Sequence, residues 1–183
     1  PVTRKSELSQ SQLRDPPFGG YAAGEEGDLL RVFASPGPVF EPQGRREDFW
    51  RFARALHAAG FRRGDLIHNT FSYHFTPAGF MVDSGAHALG CTVFAAGTGQ
   101  TELQIQAIAV LRPRGYIGPP SFLKIILDKA AETGLELSSL AVGAVSGEAL
   151  PNSLRDEIST AGIEVLQAYA TADVGLIAYE SSV

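Results

Sequence analysis

The sequence predicts an α/β fold, a mostly parallel sheet flanked by helices. Three observations predict it. Short apolar, β-rich runs recur along the chain, the segments between most of them carry apolar residues at helical spacing, and Gly or Pro stands at most junctions. Alternation of this kind is the pattern of right-handed βαβ units, whose strands lie parallel.

Residues 1–28 are polar and broken by Asp15-Pro16-Pro17-Phe18-Gly19-Gly20, which predicts an extended opening segment with one or two helical turns around Ser6–Leu13. Residues 29–183 are expected to form one α/β subdomain. Leu29–Ser35 is apolar and bounded by Gly27 and Pro36, so it reads as a strand. Ser35–Pro42 reads as a loop. Phe49, Phe52, Ala53, Leu56 and Ala59 fall on one helical stripe, and Gly60 suits the left-handed position after its last turn. A strand is expected within Arg62–Phe71, a helix within Thr76–Gly90 that packs through Phe80, Met81, Ala88 and Leu89, and a strand within Cys91–Gly97.

Thr101 and Gln104 match a capping box; Ile105, Ile108 and Leu111, with Ala109, face inward, and Pro113 ends that helix. A short strand within Arg114–Pro120 precedes a helix closed by Gly134. Leu140–Gly147 is a strand, and Pro151 falls in the first turn of the next helix, where its missing N–H costs nothing. Ile163–Tyr169 and Val174–Glu180 complete the strands. No internal repeat or linker interrupts the pattern.

Composition narrows the function. At 183 residues, with 44% hydrophobic and 19% charged, the chain has the make-up of one globular domain and excludes a disordered one. Fifteen basic against twenty acidic residues give −5 with no basic cluster, which argues against nucleic acid or an anionic membrane as partner. No run approaches the ~18 apolar residues of a membrane helix. The single cysteine, Cys91, excludes an internal disulfide and a cysteine zinc cage and fits a reducing, cytoplasmic setting. The chain opens on Pro1 and closes on Tyr-Glu-Ser-Ser-Val, which leads us to expect a piece of something longer or a processed chain.

In a parallel sheet the ligand belongs beyond the C-terminal strand ends. Ser35–Pro42 holds three prolines, no Lys and Glu41, so by itself it favours a rigid turn over a phosphate cradle. Glu148 suits a ligand amide or a helix cap equally. Tyr169, Thr171 and Asp173 could stack a base, touch a phosphate and hold Mg²⁺, or form an ordinary strand end with a turn Asp. Phe71–Thr76 suits a pocket for a flat apolar ligand or a core junction. Arg63-Gly64-Asp65 is a turn before a strand, Asp83 and His87 are a surface pair, His57 and His68 are packing or surface residues, and Cys91 is a small hydrophobe.

Taken in order, these segments resemble the AMP-forming adenylating enzymes, most of all the phenylacetate–coenzyme A ligase group. Pro1–Phe18 is similar to that group's Pro-Phe-Thr-x-Lys-x-x-Leu and Pro-Phe-Gly opening, and Arg31–Pro42 stands where it has Arg-Ile-His-Ala-Ser-Ser-Gly-Thr-Thr-Gly-Lys-Pro. Ala58–Asp65 resembles its Ala-Ala-Gly-x-x-x-Gly-Asp, Gly99–Gln104 its Gly-Gln-Thr-Glu-Arg-Gln, Gly118–Ser121 its Thr-Pro-Ser, Gly147–Glu148 its Gly-Ala-Glu, and Tyr169–Asp173 its Tyr-Gly-x-Ser/Thr-Glu.

The resemblance implies ATP, Mg²⁺ and coenzyme A, and activation of a small carboxylic acid, with an aryl acid favoured. It assigns Ser35, Gly37, Ser146, Gly147, Glu148, Tyr169 and Thr171 to the nucleotide, Asp173 to Mg²⁺, and Tyr73, His74, Phe75, Gly79 and Pro120 to the acid pocket. The family's catalytic Lys falls past Val183, so this chain alone is expected to be inactive; a homodimer is left open. Three departures stand out. Pro38-Val39-Phe40-Glu41 replaces Thr-Thr-Gly-Lys, Ala172 replaces a hydroxyl, and Thr171 is displaced by one residue. They raise the alternative of a non-catalytic ligand-binding relative with a degenerate phosphate loop.

Overall fold

A computed structural model describes residues 4–182. Helix α1 (Lys5–Arg14) comes first, followed by a 3₁₀ turn at Glu26–Asp28 and strands β1 (Leu29–Ser35) and β2 (Val39–Gly44). Then come α2 (Ala53–Ala58), β3 (Leu66–Asn69), α3 (Ala78–Leu89), β4 (Thr92–Ala95), α4 (Thr101–Leu111) and β5 (Gly115–Gly118). The chain finishes with α5 (Pro120–Thr133), β6 (Val142–Val145), α6 (Asn152–Thr160), β7 (Glu164–Thr171) and β8 (Gly175–Tyr179).

The main sheet has the order β4-β3-β5-β6-β7-β8. Strands β3 to β7 are parallel, and β8 folds back antiparallel on β7. The chain first moves outward from β3 to β4, then crosses back over β3 to start β5. Strand order therefore reverses between β3 and β5, and with right-handed crossovers the two directions of travel place helices on opposite faces. The packing agrees. Leu56 of α2 and Met81, Val82 and Ala86 of α3 pack with Ile67, Ile117 and Ala144. Ile105 and Ile108 of α4, Leu123 and Ile126 of α5 and Ile158 of α6 pack with Tyr116, Val145 and Val165. Neighbouring strand residues such as Tyr116 and Ile117 thus serve opposite faces, as the pleat requires.

The reversal point is tied by polar side chains. Thr70 N–H donates to the Ile117 carbonyl at 2.8 Å, the Thr70 and Tyr116 hydroxyls meet at 2.9 Å, and Tyr116 OH donates to the Pro119 carbonyl at 2.9 Å. Thr70 and Tyr116 are both fully buried, so each hydroxyl needs these partners.

Five expectations need correction. The opening segment carries a ten-residue helix, longer than one or two turns. Ser35–Pro42 is no strand-to-helix loop: Val39 pairs with Ser35 and Phe40 with Ala34, so β1 and β2 form a hairpin outside the main sheet. Thr101 and Gln104 make no capping box. Gln104 is buried and donates to the Gly97 and Gly99 carbonyls at 2.9 and 3.0 Å, clamping the loop ahead of α4. Pro151 is the N-cap of α6, one step earlier than its first turn. The helical stripe before Gly60 also shortens to six residues, because the Asp48 carboxylate accepts from the Phe52 and Ala53 N–H groups and starts the helix there.

Candidate functional site

A cavity of about 180 Å³ opens at the C-terminal ends of β3, β6 and β7. Each wall follows from one element. The β1–β2 hairpin brings Ser35, because the Ala34 N–H donates to the Phe75 carbonyl at 3.0 Å and pins β1 to the loop after β3. That loop gives Phe71, Thr76 and Pro77, and α3 gives Met81 and Val82. The end of β6 gives Ser146 and Gly147, and the end of β7 gives Ala170, Thr171 and Ala172. The lining is mainly apolar with the hydroxyl residues Ser35, Thr76, Ser146 and Thr171 among it, the make-up of a pocket for an apolar group that carries a polar end.

Four of the seven residues expected at a nucleotide therefore meet here: Ser35, Ser146, Gly147 and Thr171. Thr171 lines the cavity despite its displaced position. Phe71, Met81 and Thr76 were missed as pocket residues, although Phe71 and Thr76 belong to the aromatic segment that pointed to a pocket. Gly37, Glu148 and Tyr169 stand outside the cavity. Glu148 has a structural partner in view: its carboxylate accepts from the Ser121 N–H at 2.7 Å in the first turn of α5, and its carbonyl accepts from Gln167 Nε2 at 3.0 Å. The carboxylate thus serves as a helix cap, one of the two readings left open for it. Tyr169 points a largely exposed ring outward from β7.

The residues assigned to an acid pocket spread out. Tyr73 turns toward α3: its hydroxyl donates to Asp83 at 2.7 Å and accepts from Asn69 Nδ2 at 2.8 Å. Burial, with Asp83 beside it, pushes that phenol far above its ordinary range. His74 and Phe75 are exposed. Gly79 is buried in the first turn of α3, its carbonyl accepting from Asn69 Nδ2 at 3.1 Å, and Pro120 is buried as the first residue of α5. None of these five lines the 180 Å³ cavity.

The hairpin alters the phosphate side. Ser35 Oγ donates to Glu41 Oε1 at 2.8 Å, so the hydroxyl facing the cavity is held by an anion of its own chain. Lys5 Nζ lies 2.7 Å from Asp173 Oδ2 and 3.7 Å from Glu41 Oε1. The position assigned to Mg²⁺ is thus already served by an ammonium, and the described residues hold no cluster of three or more His, Cys, Asp or Glu able to take a metal. As they stand, these residues do not fit a divalent cation.

Burial pushes the Glu41 carboxyl above the ordinary carboxylate range; Asp173 adds to the rise, while the Ser35 bond and Lys5 oppose it. A carboxyl raised on folding contributes stability that is fully present below its unfolded pKa and is lost as pH rises through its folded pKa. Stability should therefore fall across the upper carboxylate range, and Glu41→Gln should flatten that stretch of the curve and raise the neutral-pH urea midpoint. Urea titrations of both proteins from acid to neutral pH check this; parallel curves would reject it.

Other titratable groups have structural places. His68 is fully buried, meets Gln104 through Nε2 and stacks on Phe94, and burial holds it below its ordinary range. Asp65 takes the Arg62 N–H and Arg114, as a turn residue should. Cys91 is buried, and burial pushes its thiol up, which suits an inert hydrophobe.

With its reversal point and its cavity at the carboxyl ends, this parallel sheet has the fold of the N-terminal domains of adenylate-forming CoA ligases. Solved structures agree. 2-Hydroxyisobutyryl-CoA ligase, in an open conformation with 2-HIB-AMP and CoA, superposes with a TM-score of 0.87 at 25% identity over 94% of this chain and 40% of that one. The N-terminal domain of FACL13 from Mycobacterium tuberculosis shares the fold, with a TM-score of 0.63 at 16% identity over 89% of this chain and 42% of that one. By sequence the chain is similar to the phenylacetate-coenzyme A ligase of Aromatoleum evansii, 32% identical over 95% of this chain and 41% of that protein. The enzyme of that name from Pseudomonas putida is 30% identical over the same shares. No protein-family model matches. The chain is phenylacetate–coenzyme A ligase-like, and it spans about two fifths of the length of the curated relatives it matches.

Proposed function

We propose that the native protein carrying this chain is an AMP-forming CoA ligase acting on a carboxylic acid. The observation that supports it most is the convergence of Ser35, Ser146, Gly147 and Thr171 on one apolar cavity at the carboxyl ends of the strands. In this reading the acyl group enters between Phe71, Met81 and Val82, which favours an aryl or similarly apolar acid. The carboxylate oxygen attacks the α-phosphorus of ATP, the bond to pyrophosphate breaks, and an acyl-adenylate forms. The thiolate of coenzyme A then attacks the acyl carbon and AMP leaves with the electron pair of the broken C–O bond. The part assigned to this chain is to shelter the acyl-adenylate from water and to present the Ser146 and Thr171 hydroxyls at the polar end of the cavity. A buried single cysteine suits work in a reducing cytoplasm.

One observation favours a second reading, a ligand-binding relative that does not turn over ATP. The Ser35 hydroxyl is committed to Glu41, where a phosphate would need a donor and no anion. Acid-dependent exchange of labelled pyrophosphate into ATP by the native protein separates the two. Exchange with aryl acids supports the ligase; binding of an acyl-adenylate without exchange supports the second reading.

A further inference from the structure

Residues 48–52, ahead of α2, hold two non-glycine residues in the left-handed region, Asp48 at φ 44° and Arg51 at φ 64°. Such a conformation costs energy and persists only where the surroundings over-determine it. Here they do. The Asp48 carbonyl accepts from the Arg51 N–H at 2.8 Å, and the Asp48 carboxylate accepts from the Phe52 N–H at 2.7 Å. Trp50 is buried, and its carbonyl accepts from the Leu176 N–H at 3.0 Å in β8. A Cβ on Gly175 would stand 2.8 Å from that carbonyl oxygen, so the two backbones are in close contact. The strained segment is therefore fastened to the turn between β7 and β8.

The Arg51 side chain completes the fastening. Its Nη2 donates to the Val174 carbonyl. The N–H of the same Val174 donates to Thr171 Oγ1 at 3.4 Å, a long bond. Thr171 lines the 180 Å³ cavity, and so does Phe52, the residue after Arg51. A strained residue thus leads, through one turn residue, to a hydroxyl of the cavity. The direction of the bonds matters. Thr171 Oγ1 accepts from Val174, which leaves the hydroxyl proton for an acceptor on a ligand. Ser35 is the opposite case, its proton being committed to Glu41.

We propose that Arg51 is a positioning residue: its guanidinium holds Val174, and through the Val174 amide it sets Thr171 so that the hydroxyl donates to a ligand oxygen in the cavity. The proposal rests on the ligase reading only for the ligand, an acyl-adenylate.

The test has one arm without ligand and one with it, both on the native protein. The first follows hydrogen exchange of the Val174 amide. Arg51→Gly and Thr171→Val should each quicken it, and combining them should add nothing, since both break the same bond. Arg51→Lys, which can still donate to the Val174 carbonyl, should keep it slow. Glycine adopts positive φ freely, so relief of strain offsets the lost contact and the urea midpoint of Arg51→Gly should stay near that of wild type. The second arm is calorimetric titration with a non-hydrolysable phenylacetyl-adenylate. Arg51→Gly should weaken binding about fivefold, the worth of one hydrogen bond, and should have no further effect in a Thr171→Val background. Unchanged Val174 exchange in Arg51→Gly, or an affinity loss as large without the Thr171 hydroxyl as with it, would overturn the proposal. A wild-type protein that binds no adenylate would fail the ligase reading, and the exchange arm would still decide the role of Arg51.

Discussion

Gly118→Ala is expected to cost roughly 3 kcal/mol or more of folding stability, the sum of overpacking and lost buried hydrogen bonds. A Cβ at Gly118 would stand 1.8 Å from Thr70 Oγ1 and 2.4 Å from the Tyr116 hydroxyl. Neither neighbour is a flexible chain end. Thr70 and Tyr116 are fully buried and bonded to each other and to the Ile117 and Pro119 carbonyls. Thr70 has to rotate, and a buried hydroxyl is then left without a partner. The place matters for function, because Gly118 ends β5 at the reversal of strand order, beneath the loops that form the cavity. Urea unfolding measures the loss. Thr70→Ala should recover part of it in the double variant, since it removes the atom that the new Cβ meets. A Gly118→Ala protein as stable as wild type would show that the crevice is looser than these distances state.

Gly147→Leu is expected to lower affinity for an acyl-adenylate by about 100-fold, or about 2.7 kcal/mol. Gly147 has φ +87°, a conformation other L-residues reach at a cost of about 1–2 kcal/mol. Its Cβ would lie 3.5 Å from Phe71 Cε1, within the cavity lining, so a longer side chain takes the ligand's volume. Gly147→Ala separates the two effects. It carries the same backbone strain with an ordinary contact to Phe71, and should lose stability while keeping most of the affinity. The measurement is calorimetric titration with a non-hydrolysable phenylacetyl-adenylate, paired with urea unfolding. If Ala and Leu weaken binding equally, the effect is backbone strain and the cavity is not the acyl site.

Much of the architecture was legible because it rests on local signals. Strands such as Leu29–Ser35 and Val142–Val145 are short, mostly apolar runs between turn residues, and helices such as Pro120–Thr133 carry their apolar stripe and a glycine stop in one window. The errors came where partners are distant in sequence. Nothing local in Val39–Gly44 says that it pairs with β1 and not with a helix face, since a run of prolines reads as a rigid turn either way. Gln104 looks like a capping residue until Gly97, Gly99 and His68 are brought to it in space. The site divided in the same way. Ser146, Gly147 and Thr171 met in one cavity because they stand at the carboxyl ends of neighbouring parallel strands, whereas Ser35 reaches it from the hairpin, through the Ala34–Phe75 backbone bond. Tyr73 did not join them, because Asp83 and Asn69, which take its hydroxyl, are visible only once α3 is placed. Lys5 had no signal beyond its likeness to a family motif; its ion pair with Asp173 spans 168 positions.

The central claim is that this chain belongs to a working adenylate-forming ligase in spite of Glu41 and the proline-rich hairpin. The most direct measurement is AMP and thioester formation by the native protein supplied with Mg-ATP, coenzyme A and a panel of aryl and alkyl carboxylic acids. The account predicts AMP and acyl-CoA in equal amounts, dependent on the acid and greatest with an aryl one. Folded protein that yields no AMP with any acid would contradict it, and would leave the non-catalytic ligand-binding reading in its place.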